Sequence, residues 1–563
     1  MATKLVYKNV KDVSTILDPE DPLVIEAKKF IQGLPQNDHR ILRFVTSAIH
    51  DLLQDRELRQ NIRQKNHTAK IVTVFGTARS KPGDLSFDHL VRFSKAMNTK
   101  KNWFIQTGGG PGAMLAAVLG LDKAKRLGVG MEFPGEELPL TIFLKELYYR
   151  AATFLPRRRG LYKPSSAIVI SFGGIGTVDE ALQFFDIITR NPDKSVPIVL
   201  LVPDSEKEQK FSDVFMKLVA RLDAQDATLK IGERILCTND EQEAAEYIDQ
   251  YGQPKPWLQF SDEEDLSSEL GQAIPTPELE DVLFWEIART LERHDNFKNN
   301  ITKVLSEFAR VPQPLDGPQA VYLGDMSKRP ELTNKWDYLH FDLHIFGESE
   351  SGISDFHELY PEFLIGYNTD AYIFSLDSLK ELRFCSNILT SIQTGQMPLK
   401  PVVVIEPDLS EESLAASYKE LLETLSECGT IDAEDLDLIT FVQSPEEAGL
   451  FVDRFCGLFH SYKNVDQETT RIFFQPGVNI SELDITGLPF DSYKLIEQGS
   501  LSGFELVVSQ GKRAKAHHVR TIIDRVAEDN ADFFKNLIFT PNCVTLQGTP
   551  DVVREEIKPR TPV

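Results

Sequence analysis

Two glycine-rich segments have the residue types and the setting to bind a phosphate group. The first contains Gly108, Gly109, Gly110 and Gly112 after the apolar run WFIQT, and the second, at 173–177, reads GGIGT after AIVISF. Each precedes a stretch of helical character, and backbone N–H groups at a helix N-terminus bind anions where glycine lets the ligand approach. Because neither segment reads G-x-G-x-x-G or ends in G-K-[ST], a dinucleotide fingerprint and a Walker loop are disfavoured. Tight packing of strand on helix is the alternative for a single loop, but two such loops on neighbouring strand ends predict a pocket.

Charged residues at short distances from the second segment could act on a sugar bound there. Glu180 lies 180 − 173 = 7 residues after Gly173, and Arg157 lies 173 − 157 = 16 residues before it. Cleaving a base from ribose 5-phosphate passes through an oxocarbenium-like state, which a carboxylate stabilises directly or by activating water. We expect Glu180 in the first turn of the helix, pointing back toward the sugar, and Arg157 as a planar fork for phosphate or ribose oxygens. The alternatives are a carboxylate that compensates the helix dipole and a solvated basic turn at Arg157, Arg158 and Arg159.

Together these motifs resemble the Lonely Guy family, whose members are cytokinin-activating phosphoribohydrolases and bacterial nucleotide 5′-monophosphate nucleosidases. The resemblance rests on GTARS at 76–80, TGGGPGAM at 107–114, the arginine pair and GGIGTVDE at 173–180. It implies hydrolysis of the N-glycosidic bond of nucleoside 5′-monophosphates to free base and ribose 5-phosphate, with no cofactor and no metal. It also implies that Arg157 and Glu180 are catalytic. The substrate-binding residues that it implies are Gly76, Thr77, Gly108, Gly109, Gly110, Gly112, Met114, Arg158, Gly173, Gly174, Ile175, Gly176 and Thr177.

The sequence departs from the family pattern at three positions. Phe172 replaces the leading Pro of the motif and Arg158 replaces the Lys of the pair, so apolar and cationic character are kept. Leu115 stands where many relatives carry Glu, which leaves the base preference open. Relatives are often labelled lysine decarboxylases, but nothing here marks a Schiff-base lysine. The second hypothesis is a non-catalytic nucleotide-sensing or carrier protein on the same fold.

The elements that must position these residues are those of an α/β protein with a doubly wound, Rossmann-like parallel sheet. Short apolar runs alternate with helical stretches, as in a sheet covered by helices on both faces. We place this catalytic domain at 65–250, after a helical extension at 1–64. A linker with helices at 251–317, a degenerate second α/β domain at 318–460 and an α+β region at 461–563 complete the predicted organisation.

An internal repeat predicts the second α/β domain. The segment that starts at Ala371 aligns without gaps on the one that starts at Ala167, an offset of 371 − 167 = 204. Chance similarity between two βαβ units is the alternative. The second copy lacks the chemistry of the first, because Gly173, Gly174, Gly176 and Glu180 are replaced by Asp377, Ser378, Lys380 and Phe384.

Two further groups of polar residues have more than one interpretation. His340, Asp342 and His344 alternate with apolar residues, which favours the solvated face of an edge strand over a metal site. The basic segment 511–520 could bind an anionic effector or a neighbouring acidic surface, or form an ordinary solvated helix start. We expect residues 318–563 to regulate or assemble the active domain.

The composition limits the partners of the protein. With 85 acidic against 61 basic residues, the formal net charge of −24 disfavours a nucleic acid polymer but not a small phosphorylated ligand. The apolar runs are too short to span a bilayer and the first residues lack a signal or transit pattern, so we expect a cytoplasmic protein with no membrane partner. Five scattered cysteines argue against a disulfide framework and a zinc site. We expect a homodimer or higher homo-oligomer that takes a nucleoside monophosphate.

Overall fold

The computed structural model describes only part of the 563 residues. The described residues are 51, 54–55, 57–131, 142–151, 154–162, 164–190, 196–254, 319–323, 337–339, 370–406, 413–465, 468–480, 482–509, 514–530, 537–540 and 543–546. The expectations for His340, Asp342 and His344, and for most of the N-terminal extension and the linker, lie outside them. In the described part, every helix is too short or too polar to cross a bilayer.

A seven-stranded parallel sheet carries the glycine-rich segments. Its strands are β1 (Lys70–Phe75), β2 (Trp103–Thr107), β3 (Arg126–Met131), β4 (Tyr148–Ala151), β5 (Ala167–Ile170), β6 (Ile198–Leu201) and β7 (Ile235–Thr238), in the order β4-β3-β2-β1-β5-β6-β7. Neighbouring strands pair in parallel throughout. The central strands are apolar and buried along their length, because both faces of the sheet are covered.

Helices cover both faces of this sheet, which confirms the doubly wound, Rossmann-like fold. They are α1 (Leu85–Asn98), α2 (Ala113–Leu119), α3 (Phe154–Tyr162), α4 (Ile175–Arg190), α5 (Glu206–Gln225) and α6 (Glu241–Tyr251). Successive β1 side chains point to opposite faces: Ile71 and Phe75 pack in the core with α4 and α5, whereas Val72 and Val74 pack with α1, α2 and α6.

A second parallel sheet follows in the chain. It contains β8 (Gln319–Leu323), β9 (Asp337–Leu339), β10 (Ala371–Phe374), β11 (Val402–Ile405) and β12 (Thr440–Val442), in the order β12-β11-β10-β8-β9. The described helices of this second unit are α7 (Leu379–Gln393), α8 (Leu414–Glu427) and α9 (Pro445–Leu458). The first residues of β10, α7 and β11 lie 204 positions after those of β5, α4 and β6 (371 − 167, 379 − 175, 402 − 198). The alignment of the two copies therefore holds element by element.

The C-terminal part adds an antiparallel sheet, whose architecture the sequence did not indicate. Strands β13 (Phe459–Asn464), β14 (Thr469–Phe474), β15 (Phe490–Gln498) and β16 (Leu501–Val508) lie in the order β13-β14-β16-β15. Helix α10 (Ala516–Asp529) begins inside the basic segment 511–520, and β17 (Leu537–Thr540) pairs with β18 (Cys543–Leu546). One apolar cluster runs through the seven-, five- and four-stranded sheets and contains Phe185 of α4, Ile388 of α7 and Ile522 of α10.

Candidate functional site

The candidate site lies where the order of the first sheet reverses. The chain proceeds outward from β1 to β4 and then returns to place β5 on the other side of β1. In open α/β sheets, ligands bind outside the carboxyl ends of the strands at this switch point. The loops after β1 and β5 meet there, since Thr77 N donates to Phe172 O over 3.0 Å. The loop after β2 joins them, because Ala113 N donates to Thr77 O over 2.8 Å.

Two of the predicted glycines serve the packing of these loops. Gly112 has a φ of +66°, and a Cβ there would lie 2.4 Å from Thr77 O. A Cβ on Gly76 would lie 2.6 Å from the Ala113 Cβ. Both distances are too short for any other residue, so the close approach of strand end and helix α2 requires glycine at these positions.

The guanidinium of Arg157 joins the first glycine-rich loop to the predicted carboxylate. A Cβ on Gly108 would lie 2.3 Å from Arg157 Nη2 and 2.8 Å from Met114 Sδ, so Gly108 leaves the space that these side chains occupy. Arg157 Nε donates to Val129 O over 3.1 Å, and Nη1 lies 3.6 Å from Glu180 Oε1. The structure thus brings Gly108, Arg157 and Glu180 together.

Glu180 lies in the second turn of α4, not in the first turn as the sequence suggested. The helix begins at Ile175, two residues before Thr177, so Glu180 is its sixth residue. Its side chain keeps 17% of its surface exposed. Burial raises the pKa of the Glu180 carboxyl above its ordinary value, and the charges of Arg157 and Arg158 oppose that shift. A carboxyl group with a raised pKa beside a cation is suited to proton transfer or to stabilising a cationic sugar.

The second glycine-rich loop forms the N-terminus of α4. A Cβ on Gly173 would lie 2.2 Å from Thr177 Oγ1, so the hydroxyl folds back over the loop. Thr177 N and Val178 N both donate to Gly174 O, over 3.0 and 3.1 Å, and close the first turn. A hydroxyl above a helix N-terminus is an arrangement that binds phosphate oxygens. Glu180 projects from the same helix one turn further on.

The arginines of α3 are buried, so the alternative of a solvated basic turn is wrong. Arg157, Arg158 and Arg159 are 5%, 0% and 6% exposed. Arg158 forms an ion pair with Asp179, which is also fully buried, and donates to Gln183 Oε1 over 3.4 Å. These contacts hold α3 against α4, and a role of Arg158 in substrate binding stays a prediction.

A cavity of about 510 Å³ lies beside these loops. Neither Arg157 nor Glu180 lines it. Its walls are Ala78, Arg79, Ser80, Lys81, Pro82, Phe87, Pro111, Gly112 and Leu115. Leu115, one of the three positions at which the sequence departs from the family pattern, therefore faces an apolar and cationic space next to the candidate site.

The basic segment near the C-terminus contacts an acidic surface of the second unit, which was one of its three interpretations. In its described part, Lys515 Nζ donates to Asp432 Oδ2 over 2.5 Å and His517 Nδ1 lies 2.6 Å from Asp435 Oδ1. Asp432, Asp435 and His517 could together offer ligands to a metal ion, a cluster that sequence analysis missed. Because Arg79 also donates to Asp432 over 3.0 Å, this carboxylate is already neutralised by cationic side chains, and we interpret the cluster as an ion-pair network.

One family model matches part of the chain. Residues 112–248 match the family model described as "Possible lysine decarboxylase", which confirms the resemblance to the Lonely Guy family over that segment. No curated protein matches the chain.

Solved structures also resemble parts of the chain. Two structures of the molybdenum cofactor carrier protein from Chlamydomonas reinhardtii share 18% identity, cover 32% of this chain and 98% and 97% of their own, and give TM-scores of 0.23 and 0.22. A sialyltransferase from Photobacterium damselae shares 11% identity over 66% of this chain and 100% of its own, with a TM-score of 0.16.

Proposed function

Because residues 112–248 carry the lysine-decarboxylase-like, Lonely Guy family match, we propose that the protein hydrolyses the N-glycosidic bond of nucleoside 5′-monophosphates. The products are the free base and ribose 5-phosphate. One observation supports the proposal above the others: Arg157 of α3 contacts the first glycine-rich loop at Gly108 and lies 3.6 Å from Glu180 of α4, the helix whose N-terminus carries the second glycine-rich loop.

Each group has a role in this proposal. The loop from Gly173 to Thr177 binds the 5′-phosphate, and this places the sugar one helical turn away, beside Glu180. The bond from C1′ to the base nitrogen breaks, positive charge develops on the sugar, and the Glu180 carboxylate stabilises it and accepts a proton from the attacking water. The water oxygen ends on C1′ with its remaining hydrogen, and the proton taken up by Glu180 passes to the leaving base, which regenerates the carboxylate. Arg157 orients the carboxylate and the ribose oxygens.

The proposal is tested with purified full-length protein and AMP, GMP, CMP and UMP. We expect base release from at least one of them, and we expect Glu180→Gln to lower kcat by about 100- to 10,000-fold, the range for loss of a general base. Glu233→Gln is the matched control, since Glu233 is 72% exposed and lies beside Lys230, away from the site.

The outcomes separate the two hypotheses. Base release that survives Glu180→Gln would show that this carboxylate does not carry the reaction. Binding of a monophosphate without any release of base would instead support the sensing or carrier protein. A protein that neither binds nor hydrolyses any of the four would contradict both.

A further inference from the structure

The first and second α/β units pack on each other through equivalent elements. Helix α4 of the first unit lies against α7 of the second, and α5 lies against α8. Since α4 and α7 occupy matching places in the two copies, as do α5 and α8, each helix packs on its own counterpart, which is the pairing that an isologous interface between two subunits makes. A buried ion pair joins α4 to α7, with Arg383 Nε 3.2 Å from Asp186 Oδ2. Lys217 of α5 lies 2.5 Å from Glu420 of α8.

The site of the second copy is filled by its own side chain. Glu381 occupies the position of Thr177, as 177 + 204 = 381. Its carboxylate accepts hydrogen bonds from Asp377 N over 2.9 Å and from the hydroxyls of Ser375 and Ser378, both over 3.1 Å. A buried carboxylate therefore occupies the helix N-terminus that in the first copy belongs to the phosphate loop.

A loop of the second unit reaches the phosphate loop of the first. A Cβ on Gly174 would lie 3.0 Å from Thr430 O and 3.3 Å from Ile431 Cγ2, so the two backbones are in close contact. The hydroxyl of Thr430 donates to Leu425 O over 2.9 Å, which ties this loop to the end of α8.

The same loop holds the segment that follows β1. Arg79 Nη1 donates to Asp432 Oδ1 over 3.0 Å and to Gly429 O over 3.4 Å. Arg79 N in turn donates to Thr77 Oγ1 over 3.1 Å, in the loop that meets both glycine-rich segments. Asp432 is therefore two contacts away from the candidate substrate-binding residue Thr77.

We propose that the second unit serves as a built-in partner subunit for the active site, in which the loop Gly429–Asp432 covers the phosphate loop and Asp432 positions Arg79 and the segment 76–81. This inference rests on the proposed function. Asp432 is a positioning residue that sets affinity for the nucleotide and leaves the bond-breaking step to Glu180. The repeat thus supplies, within one chain, a surface that a second copy would otherwise have to supply.

The experiment uses full-length Asp432→Asn and the matched control Asp437→Asn. Asp432 caps the 3₁₀ helix Ala433–Leu438, and the exposed carboxylate of Asp437 lies on that helix. Loss of the charge on the partner of Arg79 predicts a rise in KM of about 10-fold for Asp432→Asn, with kcat within about twofold of wild type. Asp437→Asn should leave KM unchanged. The substrate is whichever of AMP, GMP, CMP and UMP the wild-type chain hydrolyses.

A double-mutant cycle with Arg79→Gln separates positioning from a general loss of structure. If Asp432 acts through Arg79, Asp432→Asn should change KM in the wild-type background and have little further effect in the Arg79→Gln background. An unchanged KM, or the same rise in both backgrounds, would overturn the inference.

Failure of the proposed function gives a different result. If the wild-type chain binds AMP without hydrolysing it, the Kd for AMP replaces KM and the same 10-fold weakening is expected. A wild-type chain without affinity for any monophosphate would overturn both the function and this inference.

Discussion

At the scale of single residues, we expect the ionised carboxylate of Glu180 to lower the free energy of unfolding, because it is buried in the candidate site. Burial raises the pKa of its carboxyl in the folded state, despite the opposing charges of Arg157 and Arg158. At pH values below the pKa that Glu180 has in the unfolded chain, its carboxyl is protonated in both states and does not lower the free energy of unfolding. As the pH rises from the unfolded-state pKa to the raised folded-state pKa, the unfolded chain ionises first, so the folded protein loses stability relative to it, and above the folded-state pKa the loss is complete.

Glu180→Gln should therefore stabilise the protein at pH 8 and have little effect at pH 5. Urea unfolding at several pH values measures this difference, which should grow as the pH rises. Glu233→Gln should give a flat difference, because Glu233 is exposed. A Glu180→Gln protein that is less stable than wild type at pH 8 would show that attraction to Arg157 outweighs the effect of burial.

At the scale of elements, the contact between α4 and α7 combines apolar packing with a buried ion pair between Asp186 and Arg383. Asp186 is 4% exposed and Arg383 is 7% exposed, and the guanidinium also stacks on Phe384 at 4.6 Å. Arg383→Met leaves a buried carboxylate without this cation, which costs about 3–5 kcal/mol in comparable cases. We expect a loss of that size in the free energy of unfolding, measured with urea.

The double variant Asp186→Leu with Arg383→Met is the control for that prediction. Replacing both charges with apolar side chains removes the uncompensated carboxylate, so most of the lost stability should return. A double variant as unstable as Arg383→Met alone would mean that packing, not charge, explains the loss.

The sequence predicted the elements that are apolar and buried throughout, and it missed those at the sheet edges. β1, β2, β5 and β6 read as continuous apolar runs, since helices cover them on both faces. β7 is largely half-exposed, and half-buried and buried residues alternate along β4, so neither strand gives a continuous apolar run. β3 contains two glycines, Gly128 and Gly130, which weaken the pattern of a strand.

In the candidate site, too, contacts between residues near in the chain could be predicted, and contacts between distant residues could not. The proximity of Arg157 and Glu180 could be predicted, because the family motif fixes their spacing around the glycine loop. The contact of Arg79 with Asp432 joins residues 432 − 79 = 353 positions apart, and it depends on how two complete units dock. No local pattern in the sequence encodes such docking.

At the scale of the whole molecule, the second unit covers the sides of α4 and α5 with α7 and α8. The apolar cluster that begins in the first sheet continues through α7 and α8 into the C-terminal sheet. The homo-oligomer expected from the sequence stays a prediction. Any such assembly of the full-length chain must use a surface other than the one occupied by α7 and α8.

Removing the second unit should therefore expose a self-complementary surface. A chain truncated after Pro254 keeps the seven-stranded sheet but uncovers the sides of α4 and α5 that pack on α7 and α8. Exposed contiguous apolar faces tend to associate, and two copies could dock through the same helices by twofold symmetry. We expect the truncated protein to sediment as a dimer or larger species over a concentration range in which the sedimentation coefficient of the full-length chain stays constant.

The matching fragment 318–563, added in trans, tests whether that surface is the cause. It should compete with self-association and give a one-to-one complex, because it restores the α7 and α8 faces together with the apolar cluster that they complete. Far-UV circular dichroism of the truncated chain should show that it keeps its helices. A folded, strictly monomeric truncated chain that ignores the fragment would contradict the view that the second unit takes the place of a subunit.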